Sequence, residues 1–277
     1  MRILALHGVG SSAKIFKRQL SRLLNSLDVS YEFVFVDGAV PSHRGPGIGP
    51  EVDGPFYSHT TGYSPAEIQA AHKEIATTVA ELGPFDGILG FSQGASMALS
   101  YIWCQQANGK EPCFKFAVLL SSVVPFSPDF TYCKSEVEEL CSRRCTGMIA
   151  KDLTPRAQVF NDCVVWTFQS ALKIGAVLPN FNQDFFKDGV TEVPRVLHPL
   201  LVLERIHIPT VHVSGKRDLP FMQDMHEIGY QICDKRLSKK IFHSGGHHPP
   251  MDSGIQQVVR AIEWAVAQSY RQALSFL

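Results

Sequence analysis

The stretch that most restricts the fold is "FDGILGFSQGASMALSYIWC", Phe85 to Cys104. A short apolar run stops at Gly90-Phe91-Ser92-Gln93-Gly94, and a helix-like alternation starts at once, running from about Gln93 to Gln106. A buried strand that turns directly into a helix is the repeating unit of a parallel sheet, because parallel neighbours need a crossover on one face. The unit recurs along the chain. "RILALHG" reads as a first buried strand ending in Gly8 and Gly10. Ala13 to Leu27 then places Ile15, Leu20, Leu23, Leu24 and Leu27 at helical spacing, and "YEFVFVDG" is a strand stopped by Asp37 and Gly38. Ser64 as N-cap and Pro65 at the first helical position open a helix that Gly83 and Pro84 end after Leu82. Further on, "CFKFAVLLSS" (Cys113 to Ser122) and "IPTVHVSGKRD" (Ile208 to Asp218) are strands. A helix over Met222 to Ile232, a short strand at Lys240 to His243 and a terminal helix from about Gly254 to Ala273 complete the pattern.

Two segments interrupt it. From Pro41 to Gly62 the prolines and glycines of "PSHRGPGIGPEVDGPFYSHTTG" predict an irregular loop, and loops that long in a compact fold usually have a function or are disordered. Residues 126–207 lose the strand-helix alternation, with helical fragments expected at Lys134 to Ile149 and Thr154 to Ile174. The expectation is a single domain over 1–277, a mostly parallel central sheet flanked by helices, with 126–207 inserted as a cap or lid over the loop-bearing edge of the sheet. A chain of 277 residues is long enough for the core this requires. Lys and Arg total 26 against 26 Asp and Glu, so no net field favours nucleic acid or an anionic membrane. The apolar part of "MRILALHG" is too short for a signal peptide, and no run approaches a membrane span. These features predict a cytoplasmic protein. The seven cysteines lack zinc-ligand spacing and read mostly as free thiols, so neither a metal nor a cofactor is expected.

The glycine-flanked serine has two readings, a turn or a nucleophile. G-x-S-x-G between a strand and a helix forces the serine onto a tight bend that pushes its hydroxyl out of the sheet. The helix N-terminus behind it presents unpaired N–H groups to a developing anion. A serine nucleophile needs a base, and the base needs an acid, in that fold arriving later in the order acid then histidine. Asp218 ends "VHVSGKRD" at the carboxyl edge of the sheet, where open parallel sheets carry their sites, and Asp224 inside the next helix is the weaker substitute. "FHSGGHHPP" offers His243, His247 and His248. His247 directly follows the paired glycines and is favoured as base, His243 reads as a core residue of its strand, and His248 is expected at the entrance or bonded to a neighbour. The oxyanion donors are expected to be the backbone N–H of Gln93 and that of Val9 in "HGVG". On that view His7 is structural, and the side chain of Gln93 is replaceable. "HGVGSS" lacks the third glycine of a dinucleotide fingerprint, so a nucleotide-binding reading is poorer.

Taken in order, "RILALHGVG", "GPFDGILGFSQGASMA", "FKFAVLLSS", "IPTVHVSGKRD" and "GGHHPP" resemble the fungal serine hydrolase (FSH) family, a branch of the α/β-hydrolases. The resemblance covers roughly Met1 to Pro128 and Ile208 to the end. It implies an α/β-hydrolase fold, an esterase or thioesterase activity that includes polyketide-associated members, and Ser92, Asp218 and His247 as nucleophile, acid and base. Val9 and Gln93 would form the oxyanion hole. The insertion and "GKRD" depart from the compact members, which leaves the substrate class more open than the chemistry.

The expected substrate is a small-molecule ester or thioester of a bulky, largely apolar acyl group, with presentation on an acyl-carrier protein or coenzyme A one option for the thioester. Phe56 and Tyr57 of the 41–62 loop and Trp166, Phe181 and Phe185 of the insertion are the expected pocket residues, with Phe160, Phe168 and Phe186 as further aromatics that serve either the pocket or the insertion's own core. A substrate hydroxyl or carbon in place of water would make the enzyme an acyltransferase or cyclase, which the three site residues alone do not distinguish. A non-catalytic binding protein is the weaker alternative, and an exposed apolar face on the insertion would equally suit a homo-oligomer.

Overall fold

The computed structural model describes residues 1–145, 152–176, 186–187, 189–251 and 254–275. Six parallel strands form the central sheet: β1 (Arg2–Leu6), β2 (Glu32–Val36), β5 (Gly87–Phe91), β6 (Phe116–Leu120), β9 (Thr210–Gly215) and β10 (Ser238–His243). The intervening pairs are β3 (Val40–Pro41) with β4 (Tyr57–Ser58) and β7 (Phe126–Ser127) with β8 (Arg195–Val196), each antiparallel. The order across the main sheet is β10-β9-β6-β5-β1-β2. The chain thus builds outward from β1 to β2 and then returns to the other side of β1, so the order reverses between β1 and β5. Open α/β sheets bind ligands above such a reversal, at the carboxyl ends of the strands.

Both faces of the sheet are covered, which is why its strands read as nearly continuous apolar runs. Ile3, Ala5, Leu89, Phe116, Val118 and Leu120 point to the face closed by α1 (Ala13–Gln19) and α8 (Ile255–Ser275). Their strand neighbours Leu4, Leu6, Ile88, Ala117 and Leu119 point to the other face. That face is closed by α3 (Pro65–Leu82), α4 (Gln93–Ala107) and α7 (Pro220–Gln231). α3 begins as expected, and more firmly than Ser64 alone implies. Ser64 Oγ accepts from the Glu67 N–H while the Glu67 carboxylate accepts from the Ser64 N–H, a reciprocal cap.

Several elements differ from the expected ones. The helix expected over 13–27 divides at Leu20 into α1 and a single turn, α2 (Ser21–Leu24). The 41–62 loop is pinned at its ends by the β3–β4 pair instead of being wholly irregular. β10 starts at Ser238, two residues earlier than expected, and α7 at Pro220. Within 126–207, α5 (Lys134–Cys145) and α6 (Pro155–Lys173) occupy the expected helical fragments, although residues 146–149 lie outside the described residues. The β7–β8 ladder was not anticipated. It joins the two ends of that segment, and the wholly buried Arg195 of β8 braces it by donating from Nη2 to the carbonyls of Val190 and Phe130. Among the described residues no helix is long and apolar enough to cross a membrane.

Candidate active site

Ser92 follows β5 and caps α4 with φ 52° and ψ −112°, a conformation that a residue with a side chain adopts only under constraint. The two flanking glycines show the constraint. A Cβ on Gly90 would sit 2.5 Å from Ala95 Cα, and one on Gly94 would sit 2.3 Å from the Leu6 carbonyl oxygen. Neither position has room for a side chain, because strand, bend and helix fold onto one another and onto β1. The Ser92 N–H donates to Leu120 O at 2.9 Å, fixing the bend to β6 as well.

The loops after β9 and β10 carry the partners. Lys216 N–H donates to His243 O (2.9 Å) and Arg217 N–H to Gly245 O (2.8 Å), so the two loops are laced together before either reaches the site. Asp218, 6% exposed, accepts the Leu219 N–H on Oδ1 at 2.8 Å and holds His247 Nδ1 on Oδ2 at 2.8 Å. A carboxylate can only accept, so the proton is on Nδ1, and His247 Nε2 is left as the acceptor for Ser92 Oγ at 3.0 Å. The three residues therefore form one hydrogen-bonded chain. Phe91 packs against the imidazole with ring centroids 5.2 Å apart.

The alternatives lie elsewhere. His248 uses both ring nitrogens inside its own loop, donating from Nδ1 to Pro249 O (2.7 Å) and accepting the Gly246 N–H at Nε2 (3.2 Å). His243 is buried at the end of β10 and accepts the Gly245 N–H. Asp224 is exposed on α7.

Val9 and Gln93 both border the cavity into which Ser92 and His247 open. As the first residue of α4, Gln93 has an N–H without an intrahelical acceptor. The loop after β1 is close to the serine: a Cβ on Gly8 would approach Ser92 Cβ to 3.5 Å. His7 sets that loop, donating from Nδ1 to Gly8 O (2.6 Å) and accepting the Gly38 N–H at Nε2 (2.9 Å). Burial lowers its pKa. The Gln93 side chain is not an idle passenger. It is 1% exposed, its Oε1 accepts the His59 N–H (3.0 Å), and its Nε2 donates to Ser58 Oγ (2.9 Å).

The cavity is apolar and about 80 Å³ in volume. Its walls come from α6 (Thr167, Phe168, Ala171), from α7 (Phe221, Met222, Met225) and from Val123, Val124 and Phe126 after β6. Tyr63, Phe126 and Phe168 cluster at one side, with centroid separations of 4.8, 5.5 and 5.9 Å. Three expected pocket residues are absent from this lining. Phe56 lies under the Arg44 guanidinium at 5.2 Å. Tyr57 is held by backbone hydrogen bonds to Ser11. Trp166 is half-buried against the core, because its position on α6 is rotated about 100° from Thr167 and farther from Phe168, which do line the cavity. Phe160 and Phe186 are core residues. Phe181 and Phe185 lie outside the described residues. Phe168, one of the further aromatics named from the sequence, does line the cavity, and the missed residues Thr167, Ala171 and Ile174 had a signal: with Phe168 they recur at i, i+1, i+4 and i+7, a single helical face.

Comparisons with known proteins show the family of the chain. Esterase alnB of Emericella nidulans is 38% identical over 279 residues, covering 98% of each chain. Esterase FUS5 of Gibberella moniliformis is 36% identical over 285 residues, 99% of this chain and 91% of its own. Among solved structures, that of Arabidopsis thaliana SOBER1 superposes with a TM-score of 0.50 at 11% identity, covering 96% of this chain and 99% of its own, a likeness of fold. The family model described as "Serine hydrolase (FSH1)" matches residues 1–259. The chain belongs to that family and is a serine hydrolase with the α/β-hydrolase fold.

Proposed function

We propose that this hydrolase cleaves an ester or thioester of an apolar acyl group through Ser92, His247 and Asp218 with an acyl-enzyme intermediate. The observation that carries the reading is the chain from Ser92 Oγ through His247 to Asp218, opening on an apolar cavity beside two candidate oxyanion donors. Ser92 Oγ attacks the acyl carbonyl as its proton passes to His247 Nε2. The resulting oxyanion is met by the N–H groups of Gln93 and Val9, and the tetrahedral species expels the alcohol or thiol, which leaves with the proton from His247. Water, deprotonated by the same nitrogen, then releases the acid and restores Ser92. Asp218 keeps the proton on Nδ1 and stabilises the imidazolium formed in each half-reaction.

The acyl group occupies the cavity under α6, so residues 126–207 act as the cap of a single domain. At about 80 Å³ the cavity is smaller than the roughly 150 Å³ void that holds one benzene ring. A bulky acyl group therefore fills the cavity with only part of its chain and extends the rest through the cavity's open side. The esterase names of the relatives support ester substrates. Thioesters of coenzyme A or an acyl carrier present the same carbonyl to Ser92.

Treating the purified protein with a fluorophosphonate probe should label Ser92 alone, and Ser92→Ala should abolish both labelling and turnover. An alanine variant that keeps either one rules the mechanism out. Turnover confined to butyrate esters, with none on longer or aromatic acyl groups, would refute the acyl preference while leaving the mechanism intact.

A further inference from the structure

His59 belongs to none of the groups that react, yet it touches both halves of the proposed oxyanion hole. Its backbone N–H donates to Gln93 Oε1 at 3.0 Å, and its ring Nε2 lies 3.0 Å from the His7 carbonyl oxygen. A carbonyl only accepts, so Nε2 carries the proton. The ring also lies against that of His7, with centroids 4.4 Å apart. His59 is 8% exposed and His7 fully buried. Burial first, and the neighbouring His7 second, hold His59 neutral well below the usual histidine pKa. The His7 carbonyl it grips is the one that Gly94 leaves room for: a Cβ at Gly94 would come within 2.5 Å of that oxygen. One residue in the 41–62 loop thus ties the turn after β1, which carries Val9, to the first residue of α4, which carries the other donor.

We propose that His59 is a positioning residue for the oxyanion hole, holding the Val9 and Gln93 N–H groups at a fixed separation above Ser92. The inference rests on the proposed assignment of those two donors. An oxyanion hole works by being in place before charge develops, so a link between its halves acts on the transition state more than on the bound substrate. Deleting an oxyanion donor outright lowers kcat by roughly 10²–10³-fold. The ring of His59 holds only the His7 side, so freeing that half with the backbone link to Gln93 intact should lower kcat by about tenfold, a fraction of that loss.

Two substitutions separate the ring from its proton. His59→Phe keeps a flat ring against His7 and removes the donor; His59→Gln keeps a donor near Nε2 and removes the ring. With p-nitrophenyl hexanoate as substrate, the Phe variant should lose at least about tenfold in kcat with KM changed less than about twofold, and the Gln variant should recover most of it. Affinity for a trifluoromethyl ketone, whose adduct carries the oxyanion, should fall in parallel with kcat. A Phe variant with wild-type kcat and ketone affinity, or one whose loss lies in KM alone, overturns the proposal. If the Phe variant does not fold, Gln93→Met removes the acceptor of the His59 N–H from the other side and must show the same parallel loss; unchanged ketone affinity there also overturns it. Ser92→Ala run beside these separates the two claims. An active alanine variant defeats the mechanism, whereas an inactive one together with an unaffected Phe variant defeats only the role of His59.

Discussion

Gln93 occupies the position after the serine, where the sequence assigns a role only to its backbone N–H, and its side chain was expected to be replaceable. The structure gives the amide two buried partners. Gln93→Ala should strand the His59 N–H and lower stability by about 1–3 kcal/mol, readable as a shift in the thermal melting midpoint. An unchanged midpoint would return the side chain to the status the sequence implied. Asp218 makes a different kind of demand. Asp218→Asn keeps the shape but presents an amide to His247 Nδ1, favouring the wrong tautomer, and should lower kcat by roughly 10⁴-fold with little change in melting. Ser92, Asp218 and His247, which the structure joins in one hydrogen-bonded chain, could be picked from the sequence because each follows a strand signal at the edge where such sheets carry sites, and glycines at 90, 94, 245 and 246 mark the bends. The role of the Gln93 amide could not, because its partners Ser58 and His59 lie in a loop that carries no periodic pattern.

At the scale of elements, α6 forms one wall of the cavity beside Ser92 and is the proposed filter for acyl groups. Phe168 stacks with Phe126 at 5.9 Å and borders the cavity, so Phe168→Ala should extend the accepted acyl chain and raise kcat/KM for long p-nitrophenyl esters relative to butyrate. Equal ratios in both proteins would remove α6 from the specificity argument. α6 itself was legible, through Thr154, whose hydroxyl accepts the Ala157 N–H, and Pro155 at the first turn. Its rotation was not, since counting aromatics favoured Trp166 while the helical face 167, 168, 171 and 174 was what met the cavity. Nor were β7 and β8 readable: two residues each, they exist only because the ends of 126–207 meet in space.

Across the whole molecule, buried histidines should make the fold sensitive to acid. Burial lowers the pKa of His72 and of His226 to about 4, and that of His59 and His212 well below the ordinary value. The unfolded chain takes up protons at these positions near pH 6.5 while the folded chain stays neutral, so stability is fully present above pH 6.5. It falls as pH drops towards 4, by up to about 3 kcal/mol each for His72 and His226. Melting temperature should therefore decline over that window. His72→Gln, which keeps a group able to bond Ser100, should shallow the slope, whereas an identical slope would assign acid lability to other groups. β1, β5 and β6 were readable because they are apolar on both faces, whereas β10, with Lys239 and Lys240 at the edge of the sheet, begins two residues earlier than its apolar pattern implies.

β6 and β9 are hydrogen-bonded neighbours, with Ala117 opposite Thr210 and Leu120 opposite Val213, although residues 126–207 lie between them in the chain. The excursion leaves the sheet and rejoins it at adjacent ladder positions. No rung of the six-stranded sheet comes from the excursion, so a change within it reaches the sheet only through side-chain packing, as at Phe160 and Val164. Such a change leaves in register the backbone pairing of β5, β6, β9 and β10, which carry Ser92, Asp218 and His247 on the loops beyond them.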